Sequence, residues 1–157
     1  MLTGDATLAI VHGAASNNEI GNTHMDAELI AFIRHYLGIP NTGDTLTNKG
    51  QCVGLIELWV DQHHLPHIWG NAKDLLSNAD PAHYSTVANN PTNFPPPGAI
   101  LVWGASWGAG YGHTAIVVAA TQMQVVVFEQ NDPDGSPPVV STHPYDGVIG
   151  WIIFKAA

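Results

Sequence analysis

The two halves of the chain carry different apolar patterns, and this division constrains the fold more than any other feature. Residues 26–37 predict an amphipathic helix, a second helix follows Cys52 and should end before Pro66, and residues 72–76 predict a third helix. The next segment, rich in Asn, Pro and Thr, is expected to be a loop. Apolar, largely β-branched runs then predict four strands, at residues 99–103, 113–120, 124–128 and 148–154. Helices followed by consecutive strands indicate an α+β fold, with N-terminal helices packed on an antiparallel β-sheet.

The length of 157 residues is that of one domain, so residues 1–157 are expected to form a single domain. The first 22 residues are rich in Gly, Ala and Asn, and a short helix and an extended arm are equally consistent with them. The chain has one cysteine, which excludes an intrachain disulfide. The fold must therefore be held by packing alone.

The charge balance excludes several kinds of partner. Only four side chains are basic against 13 acidic ones, for a net charge of -9, so no phosphate-binding patch and no nucleic-acid partner are expected. The same excess of acid opposes adhesion to anionic lipid or anionic wall polymers. The N-terminal segment lacks the basic region of a signal peptide, and no run approaches the roughly 20 apolar residues that insertion into a membrane requires. The sequence leaves the oligomeric state open.

Cys52 lies where a turn-forming segment changes to helical spacing. A thiol in the first turn of a helix is exposed to the partial positive charge of unpaired backbone N–H groups, which favours the nucleophilic thiolate. A lone cysteine is otherwise most often a small buried apolar residue. The choice between these interpretations depends on which groups lie nearby.

Suitable partners occur downstream. His113 follows a glycine-rich loop and begins a β-branched run, while Glu129 and Asn131 end another strand. Two residues apart on a strand, Glu129 and Asn131 should point to the same face. If the two strands are neighbours, either residue could accept a hydrogen bond from the His113 ring and leave its other nitrogen facing the thiol. Nucleophile, base and orienting group thus occur in the order of a papain-type cysteine hydrolase.

At these residues the chain resembles the CHAP domains (cysteine, histidine-dependent amidohydrolases/peptidases) of phage endolysins and bacterial wall hydrolases. The matching segments follow the order of the family: Gly50-Gln51-Cys52-Val53, Gly70-Asn71-Ala72-Lys73-Asp74, Pro97-Gly98-Ala99-Ile100-Leu101-Val102-Trp103, Tyr111-Gly112-His113-Thr114-Ala115-Ile116-Val117, Glu129-Gln130-Asn131 and Gly150-Trp151.

The resemblance implies a papain-like fold and cleavage of an amide bond in bacterial peptidoglycan. It makes Cys52 the nucleophile, His113 the general base and acid, Glu129 the orienting residue and Asn131 a polar supporter or substitute. An N-acetylmuramoyl-L-alanine amidase and an endopeptidase remain open. For a phage endolysin or a virion-associated lysin without a signal peptide, it implies synthesis in the host cytoplasm and release to the wall, or carriage on the virion.

Three further residues are candidates for binding substrate. Gln51 precedes the nucleophile and could help to stabilise an oxyanion, while Trp107 and Tyr111 flank the glycine-rich loop before His113 and could line a groove. Trp103 and Trp151 are instead assigned to the core.

No cofactor is predicted, and the metal interpretations are minor. His63, His64 and His67 offer histidines at zinc-like spacing, but Pro66 should break the helix that would aim them at one point. Some CHAP domains hold calcium ahead of the nucleophile, where this chain has the single carboxylate of Asp44.

Two alternatives to a cysteine hydrolase stay open: a non-catalytic wall-binding or virion structural module, and a zinc hydrolase that uses the histidines. The segment 131–136 is expected to be a hairpin turn.

Overall fold

The computed structural model describes residues 23–43 and 48–156. Helix α1 spans Thr23–Tyr36 and α2 spans Cys52–Gln62, while a 3-10 turn at Ala72–Asp74 runs into the short helix α3, Leu75–Asn78. The two predicted long helices and the helical segment near residue 72 are confirmed. The uncertain arm of residues 1–22 and the Asp44 carboxylate lie outside the described residues.

In the part of the chain that the structure describes, six strands form one antiparallel sheet. They are β1 (Tyr84–Ala88), β2 (Ile100–Trp103), β3 (His113–Ala120), β4 (Val125–Glu129), β5 (Val139–His143) and β6 (Val148–Phe154). Their order across the sheet is β1-β6-β2-β3-β4-β5, and every neighbouring pair is antiparallel. The four predicted strands are confirmed to within a residue or so at their ends.

Strands β1 and β5 are the two that the sequence pattern did not predict, and the expectation of a loop at residues 84–88 was wrong. Both lie at the edges of the sheet. Each has at most one buried side chain, so neither carries the apolar signal of a central strand. The predicted hairpin turn at residues 131–136 is confirmed, since it joins the paired strands β4 and β5.

Apolar side chains fill both faces of the sheet. On one face, α1 and α2 bury side chains such as Phe32, Leu55 and Trp59 against Ile100 and Ile116. The opposite face carries a second cluster made by the alternate residues of the same strands: Leu101, Trp103, Ala115, Val117, Val125, Val127 and Trp151. Strand β2 is therefore buried along its whole length. The predicted core positions of Trp103 and Trp151 are confirmed.

The helical spacing after Cys52 predicts that Val53, Ile56, Trp59 and Val60 face the core, and α2 differs from this pattern in its first turn. Val53 is only half-buried, and Leu55 is fully buried instead. The first turn lies against the preceding loop: a Cβ on Gly54 would come within 2.1 Å of the Asn48 carbonyl oxygen. The glycine allows this contact, which fixes the start of the helix against the loop before it.

Candidate active site

Cys52 is the first residue of the 11-residue helix α2. Gln51 occupies the N-cap position with extended backbone angles, and no side chain caps the helix there. The first turn contains no acidic residue, so the backbone N–H groups present their positive end without a compensating charge. The thiol is half-buried rather than sealed in the core. Cys52 therefore lies at the positive end of α2 without being enclosed in the core.

His113 begins β3 and links Cys52 to Glu129. Its Nε2 lies 2.8 Å from Glu129 Oε2, and both residues are buried. Burial alone would lower the pKa of His113, but hydrogen bonds and charge interactions with Cys52 and Glu129 outweigh it and raise the pKa from 6.5 to about 9. Because Nε2 is committed to Glu129, Nδ1 is the ring nitrogen left for the thiol. The ring is thus held as an imidazolium between a sulfur and a carboxylate.

Glu129 ends β4 and is 1% exposed. Its second oxygen, Oε1, accepts a hydrogen bond from Nε2 of His143 at 2.7 Å. Burial would raise the pKa of Glu129, but hydrogen bonds from His113, His143 and Ser141 lower it to about 2. The carboxylate stays ionised between two imidazole rings.

His143 and Ser141 are site residues that the sequence analysis missed. Both lie on β5, where they alternate with Val140 and Thr142 and face the same side of the sheet as Glu129. The sequence signal that could have indicated this strand was the β-branched and polar run Val139-Val140-Ser141-Thr142-His143, which follows two prolines. It is too short and too polar to identify a strand that contributes to the site.

Asn131 lies beyond the end of β4, so the prediction that it and Glu129 are on one strand was wrong. Strand β4 stops at Glu129, and Asn131 has a positive φ of 67°, so the alternation of a strand no longer applies. Its side chain accepts from the Gly135 N–H at 2.7 Å and donates through Nδ2 to Gln51 Oε1 at 3.2 Å. Of the two predicted acceptors, Glu129 therefore contacts the His113 ring, whereas Asn131 contacts the residue before the nucleophile.

Gln130 ties the end of β4 to the loop that precedes the nucleophile. Its side chain is fully buried. The amide accepts from the Thr42 N–H at 3.0 Å and donates to the carbonyl oxygens of Thr42 and Gln51, each at 2.8 Å. Three successive residues, 129 to 131, thus hold the histidine, the loop backbone and the Gln51 side chain.

Two tryptophans cover the histidines. The Trp107 ring stacks on His113, with a centroid distance of 6.0 Å and an interplanar angle of 18°, and its Nε1 donates to the Asp146 carbonyl. The buried Trp103 contacts His113 at 5.1 Å. Tyr111, on the same loop as Trp107, is 64% exposed and leaves its ring at the surface. Trp107 thus lies against His113, Gln51 directly precedes Cys52 at the start of α2, and Tyr111 lies at the surface.

The histidines of the zinc interpretation, His63, His64 and His67, do not point to one common metal position. His63 packs edge-on against Trp59 and Phe154, whereas His67 Nε2 lies 2.8 Å from Asp61 Oδ1. Within residues 23–43 and 48–156, one group brings three metal-ligating side chains together, namely His113, Glu129 and Asp132. There the imidazole nitrogen and the carboxylate are already bonded to each other.

Comparison with known proteins agrees with this geometry. The family model of the CHAP domain matches residues 41–131, more than half of the chain. The chain belongs to the CHAP-domain family. Endolysin PlyTW of Staphylococcus phage Twort is 33% identical over 94 residues, which covers 54% of this chain and 20% of that endolysin.

Solved structures share the fold of this CHAP domain. Endolysin LysIME-EF1 matches with a TM-score of 0.64 at 25% identity, over 81% of this chain and 62% of that one. The crystal structure of Ly7917 matches with a TM-score of 0.61 at 20% identity, over 82% and 62% of the two chains. The predicted papain-like α+β fold is thereby confirmed. This CHAP domain spans less than two thirds of the length of each of these relatives. Along the described part of the chain, none of the helices has the length and apolar character needed to cross a membrane.

Proposed function

We propose that this CHAP domain is a peptidoglycan hydrolase that cleaves an amide bond with Cys52 as nucleophile. The observation that carries the proposal is the continuous contact from the Cys52 thiol through the His113 ring to the buried Glu129 carboxylate. This arrangement favours a thiolate beside an imidazolium, which is the activated form of a cysteine nucleophile. The similarity to phage endolysins supports bacterial cell wall as the substrate.

The reaction proceeds in two balanced steps. The Cys52 thiolate attacks the carbonyl carbon, a C–S bond forms, and the carbonyl oxygen becomes an oxyanion. The oxyanion collapses as the C–N bond breaks, and His113 gives its Nδ1 proton to the departing amine. Neutral His113 then takes a proton from water, whose oxygen attacks the thioester carbon. The C–S bond then breaks, which releases the product with its new carboxyl group and restores the thiolate–imidazolium pair of Cys52 and His113.

Two donors are available for the oxyanion. The backbone N–H of Cys52 belongs to the unpaired first turn of α2. The Gln51 side chain supplies the other: Asn131 engages its Oε1, so Nε2 is the atom left to donate. In this proposal Asn131 acts through Gln51, and Trp107 and Tyr111 border the groove for glycan or stem peptide.

The bond that is cut stays open between the amide that joins the glycan to its peptide and an amide within the peptide. The same thiolate and imidazolium serve both, so the choice is made by the groove. Mass spectrometry of fragments released from purified walls identifies the bond: a new N-terminal amine on L-alanine marks an amidase, and a new terminus elsewhere marks an endopeptidase.

The place of action proposed with this function is that of a phage lysin, made in the host cytoplasm and acting on the wall after release, or carried on the virion. With a net charge of -9, the chain gains no long-range attraction to anionic wall polymers. We propose that binding relies on the groove itself or on partner segments, without nucleic acid or membrane insertion. Titrating walls of several Gram-positive species with the Cys52→Ala protein measures this binding directly.

One comparison tests the catalytic proposal against its alternatives: release of soluble fragments from purified walls of staphylococci and other Gram-positive species by wild type, Cys52→Ala and chelator-treated protein. The proposal expects Cys52→Ala to abolish release and the chelator to leave it unchanged, because no catalytic step uses a metal. A zinc hydrolase would be inactivated by the chelator. A non-catalytic module would release nothing in any sample, and turnover that survives Cys52→Ala refutes the cysteine mechanism.

A further inference from the structure

We infer that His143 is a positioning residue that fixes the Glu129 carboxylate and, through it, the aim of the His113 ring at Cys52. This inference rests on the proposed cysteine mechanism and adds a fourth member to it. The side-chain contacts run Cys52–His113–Glu129–His143, with the carboxylate held between two imidazole rings.

The geometry of the carboxylate carries the argument. Glu129 binds His113 through Oε2 at 2.8 Å and His143 through Oε1 at 2.7 Å. A carboxylate held at one oxygen can still turn about its last side-chain bond, whereas bonds at both oxygens fix its plane. That plane sets where Oε2 meets the ring of His113. Because the His113 ring is rigid, the direction of the Nε2 bond also sets the direction in which Nδ1 points.

His143 is itself held in place. Its ring meets Trp103 and Trp107 edge-to-face, at centroid distances of 5.5 and 5.3 Å. The same two tryptophans contact the His113 ring. Asp132 Oδ2 lies 3.9 Å from His143 Nε2, beyond hydrogen-bond distance, so the short contact of this nitrogen is with Glu129. The tryptophan pair therefore keeps both imidazoles at fixed positions on either side of one carboxylate.

The register of the sheet explains why the contact depends on side chains. Glu129 is paired with Val139, and His143 is paired with Val125, four residues away along β4. The side chains at these positions share one face, where the Ser141 side chain also bonds to Glu129. His143 thus reaches Glu129 along the face of the sheet rather than directly across the strand pair.

Two substitutions separate the N–H donor from the ring. His143→Gln keeps an N–H that can reach Glu129 but loses the aromatic ring, whereas His143→Phe keeps the ring against Trp103 and Trp107 but has no N–H. The inference expects His143→Phe to lower the rate of wall hydrolysis roughly 10- to 100-fold, with little change in the wall concentration at half-maximal rate. His143→Gln should retain activity within roughly threefold of wild type. The exposed histidine variant His83→Gln is the matched control and should behave as wild type.

A structural role predicts the opposite order. If the ring serves only for packing, His143→Gln loses activity in parallel with its thermal stability, and His143→Phe does not. Thermal unfolding of both variants is therefore measured beside the rates. The inference is overturned if His143→Phe keeps full activity, or if its loss follows its stability.

A double-mutant cycle tests whether His143 acts through Glu129. The readout is the rate at which iodoacetamide alkylates Cys52 near neutral pH, which needs no substrate. Both Glu129→Gln and His143→Phe should slow alkylation, and adding His143→Phe to Glu129→Gln should have no further effect. Independent, multiplying effects overturn the inference. Full activity of His143→Phe beside an inactive Cys52→Ala refutes only the role of His143, whereas an active Cys52→Ala refutes the cysteine mechanism itself.

Discussion

Removing the charge of Glu129 should shift the alkaline limit of activity. The pKa of His113 is raised from 6.5 to about 9. At about 1.4 kcal/mol per pKa unit, this corresponds to roughly 3 kcal/mol of net preference for the imidazolium. Cys52 and Glu129 both contribute to it, while burial opposes it. Glu129→Gln removes the carboxylate's share and leaves the cost of burial, so we expect the pKa of His113 to fall by at least about one unit.

The sign of the effect on stability follows from the direction of each shift. The raised pKa of His113 stabilises the fold fully below pH 6.5, and this contribution is lost as the pH rises through about 9. The lowered pKa of Glu129 stabilises the fold above 4.5, and this contribution is lost as the pH falls through about 2. The free energy of unfolding should therefore differ most between wild type and Glu129→Gln between pH 4.5 and 6.5. The difference should shrink as the pH approaches 9.

Two measurements check this reasoning. The alkaline limb of wall hydrolysis should move from near pH 9 in wild type to about pH 8 or below in Glu129→Gln. Nuclear magnetic resonance titration of the imidazole C–H signals, with that of His113 assigned by its loss in His113→Gln, reports the same pKa without substrate. Asp134→Asn, which removes an exposed carboxylate from the adjacent hairpin turn, is the control and should leave both values in place. An alkaline limb that is identical in wild type and Glu129→Gln would refute the electrostatic role given to Glu129.

Further expectations concern the nucleophile, the loop before it and the oxyanion. Iodoacetamide should alkylate Cys52 faster near neutrality than it alkylates an ordinary free thiol; a slow reaction that rises only at alkaline pH would indicate an inert sulfur. Gly54→Ala, which would stabilise an ordinary helix by about 0.5–1 kcal/mol, should instead destabilise this protein by about 1–3 kcal/mol in urea unfolding, because its Cβ would meet the Asn48 carbonyl. Gln130→Leu should lower the free energy of unfolding by about 1–3 kcal/mol for each Thr42 backbone group that it leaves buried and unpaired. An unchanged free energy in the same assay would contradict the stabilising role given to the Gln130 hydrogen bonds. Asn131→Ala should lower the rate of wall hydrolysis less than Gln51→Ala does, because it only frees the Gln51 amide from its hydrogen bond. A larger loss of rate in Asn131→Ala would contradict the proposal that Asn131 acts through Gln51.

Much of the site could be located from local sequence because its members lie at the ends of elements. A turn followed by helical spacing indicates the helix start at Cys52, and a glycine-rich loop before a β-branched run indicates the strand start at His113. The polar Glu129 ends an apolar strand in the same way. These signals depend on residue types within a few positions of each other, so they survive without knowledge of the tertiary structure.

The parts that were missed or wrong depend on long-range contacts. Strand β5 was not predicted because an edge strand needs no continuous apolar run, and with it His143 and Ser141 were lost. Asn131 was assigned to β4 because the strand alternation was extended two residues past the end of the strand, into a turn with positive φ. The bonds of Gln130 to Thr42 join positions 88 residues apart, which no local pattern encodes.

The sequence by itself determined the fold class, the family resemblance and the chemical types available for the reaction: a single thiol, an imidazole and a carboxylate at the ends of predictable elements. The tertiary structure alone decided which acceptor meets His113, how the carboxylate is held from its far side, and which side chain orients Gln51. The physical reason is that periodicity reports only whether a side chain faces the core or the solvent. Hydrogen bonds of 2.7–2.8 Å between strands and loops depend on sheet order, register and the exact end of each strand, and these are set by the packing of the whole chain.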